Sequence, residues 1–241
     1  MWHIGTSNIS GVNGQNDHWM AIDLVALRHL IRARGEHSEW LCGIPIRTNS
    51  CFFLGDPARD RIVFNPPPFE TVFLGQPRSL AFKYLFAINK AASLLSARDT
   101  LVIVLVGHGD ADDHHSFFIG DNPDSCYRLG RNDLEEAVRG TKGDILLIST
   151  ACFSGSWKSR YWTLLAAAGP DLESTSIVES ASNEYRSGFF INSLLAEYAD
   201  EFKIRPPFLG LVDEVGRRAP EPTPRMPRAL PCLGVACEPR A

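Results

Sequence analysis

The 241-residue sequence predicts an α/β fold of three layers, with a mainly parallel central sheet flanked by helices. Three observations predict it. Thr100–Val106 and Asp144–Ser149 are apolar at successive interior positions, so both faces of each strand must be covered, as in a parallel sheet. Helix-period segments alternate with strand-like ones along the chain, which is the order that builds such sheets. The composition is that of a globular chain, 44% hydrophobic and 22% charged, and its length supports a core without disulfide staples.

In chain order, Met20, Leu24, Leu27 and Ile31 share one face of a helix expected over Met20–Arg34. Asn16 or Asp17 is its expected N-cap and Gly35 its stop. Trp40–Ile46 and Arg61–Phe64 read as short strands, interrupted by Pro45 and Pro66-Pro67-Pro68. Leu80, Tyr84, Ile88, Ala91 and Leu95 mark a second helix over Arg78–Leu95. After the first apolar run come a short strand at Ser116–Ile119 and a short helix over Asn132–Arg139, with Asn132 as cap. The second apolar run is followed by an expected helix at Trp157–Ala168, a strand at Ser174–Glu179 and a closing helix over Gly188–Phe202. No internal repeat is present. These elements define a domain over residues 1–203. Residues 204–241 hold 8 of the 16 prolines without periodicity, which predicts a flexible C-terminal tail.

A net charge of −4 and a pI near 6.0 give no electrostatic reason for nucleic acid or an anionic membrane as partner. The N-terminal residues carry neither a basic region nor an apolar run of signal-peptide length. The six cysteines include no Cys-x-x-Cys pair, so reduced thiols and a cytoplasmic location are expected. Neither a cofactor nor a metal is expected. Asp110, Asp112, Asp113, His114 and His115 crowd one stretch, but consecutive loop residues seldom wrap one ion, and a solvated loop is the expectation.

Ligands in open parallel sheets bind beyond the C-terminal ends of strands. Gly107-His108-Gly109 directly follows the first apolar run, and Ala151-Cys152 follows the second. If these strands are neighbours, a histidine and a cysteine meet across one sheet edge. A thiol becomes a strong nucleophile only on losing its proton, and an imidazole can take that proton or stabilise the thiolate. A lowered thiol pKa at Cys152 is expected on this reasoning. The N–H groups of Gly109 and Cys152 are candidates for an oxyanion hole. Trp157, Tyr161 and Trp162 read as packing residues.

The two motifs resemble those of the caspase-like (clan CD) cysteine peptidases, in which one apolar strand ends in His-Gly and a second in a dipeptide with Cys second. His108-Gly109 and Ala151-Cys152 are nearest to the legumain and metacaspase forms. Upstream, Ile4-Gly5-Thr6-Ser7 resembles the family's first strand, and Gly188-Phe189-Phe190 resembles the start of its final helix. The resemblance implies a caspase-like fold over about residues 3–203, a catalytic Cys152–His108 dyad, and a peptide or small amide or thioester substrate. It implies substrate contacts at Asp17, Thr150, Ser180 and Ser182. Thr150 stands where those families carry Gln, Glu or Asp, and Phe153 where a polar residue follows the cysteine, so a neutral polar or small apolar substrate side chain is expected, with Arg or Lys second if Asp17 faces the pocket. Acyl transfer at the same dyad, or a non-catalytic regulatory role, are the alternative functions.

Overall fold

A computed structural model describes residues 2–7, 18–31, 38–43, 52–54, 62–64, 72–73, 76–111, 115–119, 126–175 and 188–198. Their strands are β1 Trp2–Ser7, β2 Ser38–Cys42, β3 Phe52–Leu54, β4 Ile62–Phe64, β5 Val72–Phe73, β6 Thr100–Val106, β7 Phe117–Ile119, β8 Tyr127–Leu129, β9 Asp144–Ser149 and β10 Thr163–Ala166. The helices are α1 His18–Leu30, α2 Pro77–Leu94, α3 Arg131–Ala137 and α4 Phe189–Tyr198. One sheet runs in the order β10-β9-β6-β1-β2-β5, and every neighbouring pair in it is parallel. Two small antiparallel pairs, β3 with β4 and β7 with β8, stand apart from it.

The two apolar runs are β6 and β9, adjacent interior strands of the sheet with Leu105 opposite Ser149. Alternation along each strand divides their side chains between two cores. Leu101, Ile103, Leu105, Ile145 and Leu147 pack with residues of α2 and α3. Val102, Val104, Val106, Leu146 and Ile148 pack with residues of α1 and α4. The three expected layers are thus helix, sheet and helix. Proline at the first position of α2 suits its start, where an N–H would lack a helical partner anyway.

Two expectations need correction. Trp157–Ala168 is not a helix: a 3-10 turn over Ser154–Trp157 leads into β10. Leu164, Leu165, Ala166, Ala167 and Ala168 are all at most 3% exposed. Burial of five successive residues suits a strand sandwiched between layers, and pairing with β9 overrides their helix-forming composition. Of the strand expected over Ser174–Glu179, Ser174 and Thr175 are not in a strand and the other four residues lie outside the described residues. Helix α3 begins after Gly130, not Asn132, and the Asp133 carboxylate accepts the Gly130 N–H at 2.8 Å. The expected caps of α1, residues 16, 17 and 35, lie outside the described residues, as do 199–202 and the tail over 204–241. Among the described residues no helix is long and apolar enough to cross a membrane.

Candidate active site

Because β6 and β9 are parallel neighbours, the segments leaving their C-terminal ends emerge side by side. The approach is close enough to demand glycine: a Cβ on Gly109 would stand 2.0 Å from the Cys152 carbonyl oxygen. The histidine segment is held by main-chain pairing. The Phe118 N–H donates to the His108 carbonyl at 3.0 Å, the Asp110 N–H donates to the Ser116 carbonyl at 2.8 Å, and Gly109 bridges Phe117. The ring of Trp19, from the first turn of α1, meets the His108 ring edge-on at 6.2 Å and 79°.

The cysteine segment is held differently. Phe153 turns through the left-handed region at φ 57°, a conformation that costs a bulky residue about 1–2 kcal/mol. Surrounding bonds hold it there. Its N–H donates to the Leu172 carbonyl at 2.8 Å, and its own carbonyl accepts from the Ser156 N–H at 3.0 Å and the Ser156 hydroxyl at 2.6 Å. Ser154, fully buried, accepts the Ala168 N–H at 3.2 Å. Arg131 of α3 reaches the Ser156 and Lys158 carbonyls at 3.4 and 3.3 Å. The turn therefore presents Cys152 on a fixed backbone.

Cys152 is a free, half-buried thiol. The Ser174 backbone clasps it: the N–H donates to Sγ at 3.3 Å, and Sγ lies 3.6 Å from the Ser174 carbonyl. Burial pushes the thiol pKa up, and the negative charge of Glu173 adds to this, while the N–H groups of Ser174, Cys152 itself and Gly109 pull it down. The net direction is upward, which corrects the expectation of a lowered pKa. Desolvation outweighs the hydrogen bonds, so the group rests as a thiol at neutral pH.

Thr150 is 1% exposed, its N–H donates to the Leu105 carbonyl at 3.0 Å, and its hydroxyl has no hydrogen-bond partner. It lies under the site rather than on its surface. Asp17, Ser180 and Ser182 lie outside the described residues. Asp110 is ion-paired with Arg128, whose guanidinium lies 4.9 Å from the centre of the Phe118 ring; residues 112–114 lie outside the described residues. Trp157 and Trp162 are buried. The Trp157 indole donates to the His115 carbonyl at 2.8 Å and the Trp162 indole to the Trp157 carbonyl at 2.8 Å. The packing role expected for both tryptophans agrees with these positions.

Sequence reasoning does not single out Trp19, Ser174 or Asp23. Trp19 and Ser174 carry no motif and reach the site only through the packing of α1 and the return of the chain after β10. Asp23 does leave a signal, since a carboxylate three residues after Met20 and four before Leu27 interrupts an apolar stripe.

No family model and no curated protein matches the chain by sequence. Solved structures similar to it include caspase-1 from Spodoptera frugiperda, at 11% identity over 88% of this chain and 73% of that one, with a TM-score of 0.45. A protein from Geobacter sulfurreducens matches at 14% identity over 92% and 90%, with a TM-score of 0.48. A secreted C11 cysteine protease from Bacteroides thetaiotaomicron, solved with an irreversible peptide inhibitor, matches at 12% identity over 82% and 54%, with a TM-score of 0.34.

Proposed function

We propose that the protein is a cysteine-dependent amide hydrolase, a peptidase of the caspase-like kind. The observation that carries this reading is the contact of Gly109 with the Cys152 backbone, which joins a His-Gly and a Cys segment at one edge of a parallel sheet. Backbone N–H groups converging on the Cys152 sulfur support it further. A thiol whose pKa is raised needs a base at the moment of attack. His108 takes the thiol proton as Sγ bonds to the substrate carbonyl carbon. The carbonyl oxygen becomes an oxyanion, received by the Gly109 and Cys152 N–H groups. The C–N bond then breaks, and His108 returns the proton to the departing amine. Water, deprotonated by His108, attacks the thioester and releases the acid and the thiol.

For substrate recognition, Thr150 is neutral and buried beneath the site, so it offers no counter-charge to a charged side chain and a neutral group suits the site. Asp17, Ser180 and Ser182 are the proposed substrate contacts, with Asp17 the one group there that could accept a basic side chain.

The test is a mixed peptide library incubated with the purified protein, with and without an added amine, and mapped by mass spectrometry. Cleavage that disappears in Cys152→Ala supports the hydrolase. Amine-capped products would move the reading to acyl transfer, and turnover retained by Cys152→Ala would sink both.

A further inference from the structure

Among the described residues the dyad leaves one buried carboxyl unused. Asp23 lies in α1 at 0% exposure. A carboxyl in an apolar core is costly, and burial pushes its pKa well above the ordinary aspartate range. An apolar side chain of similar size would relieve that cost while leaving the buried Gly188 N–H without its acceptor, so the two effects offset and stability alone gives little reason for an acid there.

Its contacts lead toward the thiol. Asp23 Oδ1 accepts the Gly188 N–H at 2.8 Å, directly before α4, where a helix start favours an acceptor. Oδ2 has no hydrogen-bond partner. The next N–H, that of Phe189, donates to the Thr175 carbonyl at 3.1 Å, and Thr175 adjoins the Ser174 backbone that clasps Cys152 Sγ. One turn before Asp23 on the same helix, Trp19 meets the His108 ring. A Cβ built on Gly188 would lie 3.1 Å from Asp23 Oδ2 and 3.8 Å from the Trp19 ring, so the three residues form one packed group. Helix α1 therefore reaches both halves of the dyad. It reaches His108 by a ring contact, and Cys152 through the Gly188–Phe189 and Thr175–Ser174 backbone, whose N–H groups bond in turn to the Asp23 carboxylate, the Thr175 carbonyl and the Cys152 sulfur.

We propose that Asp23 is a positioning residue for Cys152: by fixing Gly188 it holds the Ser174–Thr175 backbone against the thiol, in register with the Trp19-backed His108. The catalytic consequence rests on the Cys152–His108 reading above. Loss of the tie releases the Ser174 N–H from Sγ and removes a hydrogen bond that favours the thiolate.

Two substitutions in the full chain separate positioning from stability. Asp23→Asn keeps an oxygen acceptor for Gly188, while Asp23→Leu fills the volume without one. Ile88→Val, in the opposite core, serves as the control. The expected result for Asp23→Leu is an unchanged or higher melting temperature, about tenfold faster hydrogen exchange at the Gly188 amide, and about threefold slower alkylation of Cys152 by iodoacetamide. With any peptide that the library yields, kcat should fall with KM unchanged. Asp23→Asn should stay within about twofold of the parent in both exchange and alkylation, and Ile88→Val should move neither. If Asp23→Leu does not fold, Asp23→Ala removes the same acceptor and is read the same way. Parental exchange and alkylation in the Leu or Ala variant would overturn the proposal, as would an Asn variant as impaired as Leu. The expected exchange and alkylation changes, found together with turnover that survives Cys152→Ala, would uphold the tie to the thiol and discard only the catalytic reading.

Discussion

The two segments that meet at the site are built on different physics. The histidine segment is laddered: main-chain bonds from Ser116–Phe118 continue an antiparallel pairing up to His108, and no residue of 107–110 has a left-handed backbone. The cysteine segment is knotted. A left-handed phenylalanine follows the nucleophile candidate, the buried Ser154 and the Arg131 side chain hold the turn in place, and the Trp157 indole ties it to the His115 carbonyl. A ladder depends on backbone geometry and tolerates side-chain change. A knot depends on named side chains and stores strain beside the reactive group.

Substitution at the point where ladder and knot touch should have the largest effect. In Gly109→Ala the new methyl would stand 2.0 Å from the Cys152 carbonyl oxygen, so the two segments must separate. Turnover should fall by about 10³-fold, since misplacing reacting groups by an ångström already costs about 10²-fold and the oxyanion donors move too. Peptide turnover and a melting curve together check this, and parental values in both would dissolve the proposed juxtaposition.

His108→Ala tests the ladder itself. With the main-chain bonds intact, the melting temperature should hold while turnover drops by about 10²-fold. A mutant that unfolds would make His108 a structural residue, packed on Trp19.

Ser154→Ala tests the knot. It leaves the buried Ala168 N–H without the acceptor found at 3.2 Å and should cost about 1–3 kcal/mol. Urea denaturation reads the loss. A cost near zero would mean that the turn is held by its backbone, and the contrast between the segments would fade.

The smallest effect is in pH dependence. The pKa of Asp23 is raised in the folded chain above the ordinary aspartate value of 3.8. As pH climbs from that value to the raised one, the unfolded chain releases the proton first, and the stability present at lower pH is lost. Asp23→Asn has no such proton. Parent and variant melting temperatures measured from acid to neutral pH should therefore diverge upward, with the parent falling relative to Asn. Parallel curves would mean that Asp23 is not desolvated in solution. Cys152 follows the same sign at higher pH: iodoacetamide should label it slowly near neutrality, and faster as the pH passes the ordinary thiol range. Fast labelling at neutral pH would restore the expectation of an activated thiolate.

Much of the frame is legible in the residues alone. Burial on both faces writes itself into a strand as an unbroken apolar run, so β6 and β9, and the residues just past their ends, can be read directly. Helices α1 and α2 are readable because an apolar stripe at helical spacing fits one buried helix face and no strand. Unbroken apolarity over Leu164–Ala168 covers most of β10, Thr163–Ala166, and continues past its end. Its leucine and alanine content points instead to a helix, and there burial between layers outweighs local propensity.

What tertiary structure alone decides is who touches whom. Sequence order says nothing of the pairing of β6 with β9, on which the close approach of Gly109 to the Cys152 backbone depends. It does not say that Ser174 returns to the sulfur, or that Trp19 backs the histidine. The direction of the Cys152 pKa is likewise hidden. A motif names the groups that could lower it, whereas the desolvation that raises it comes from residues packed around the thiol in space, with no signature at fixed sequence spacing.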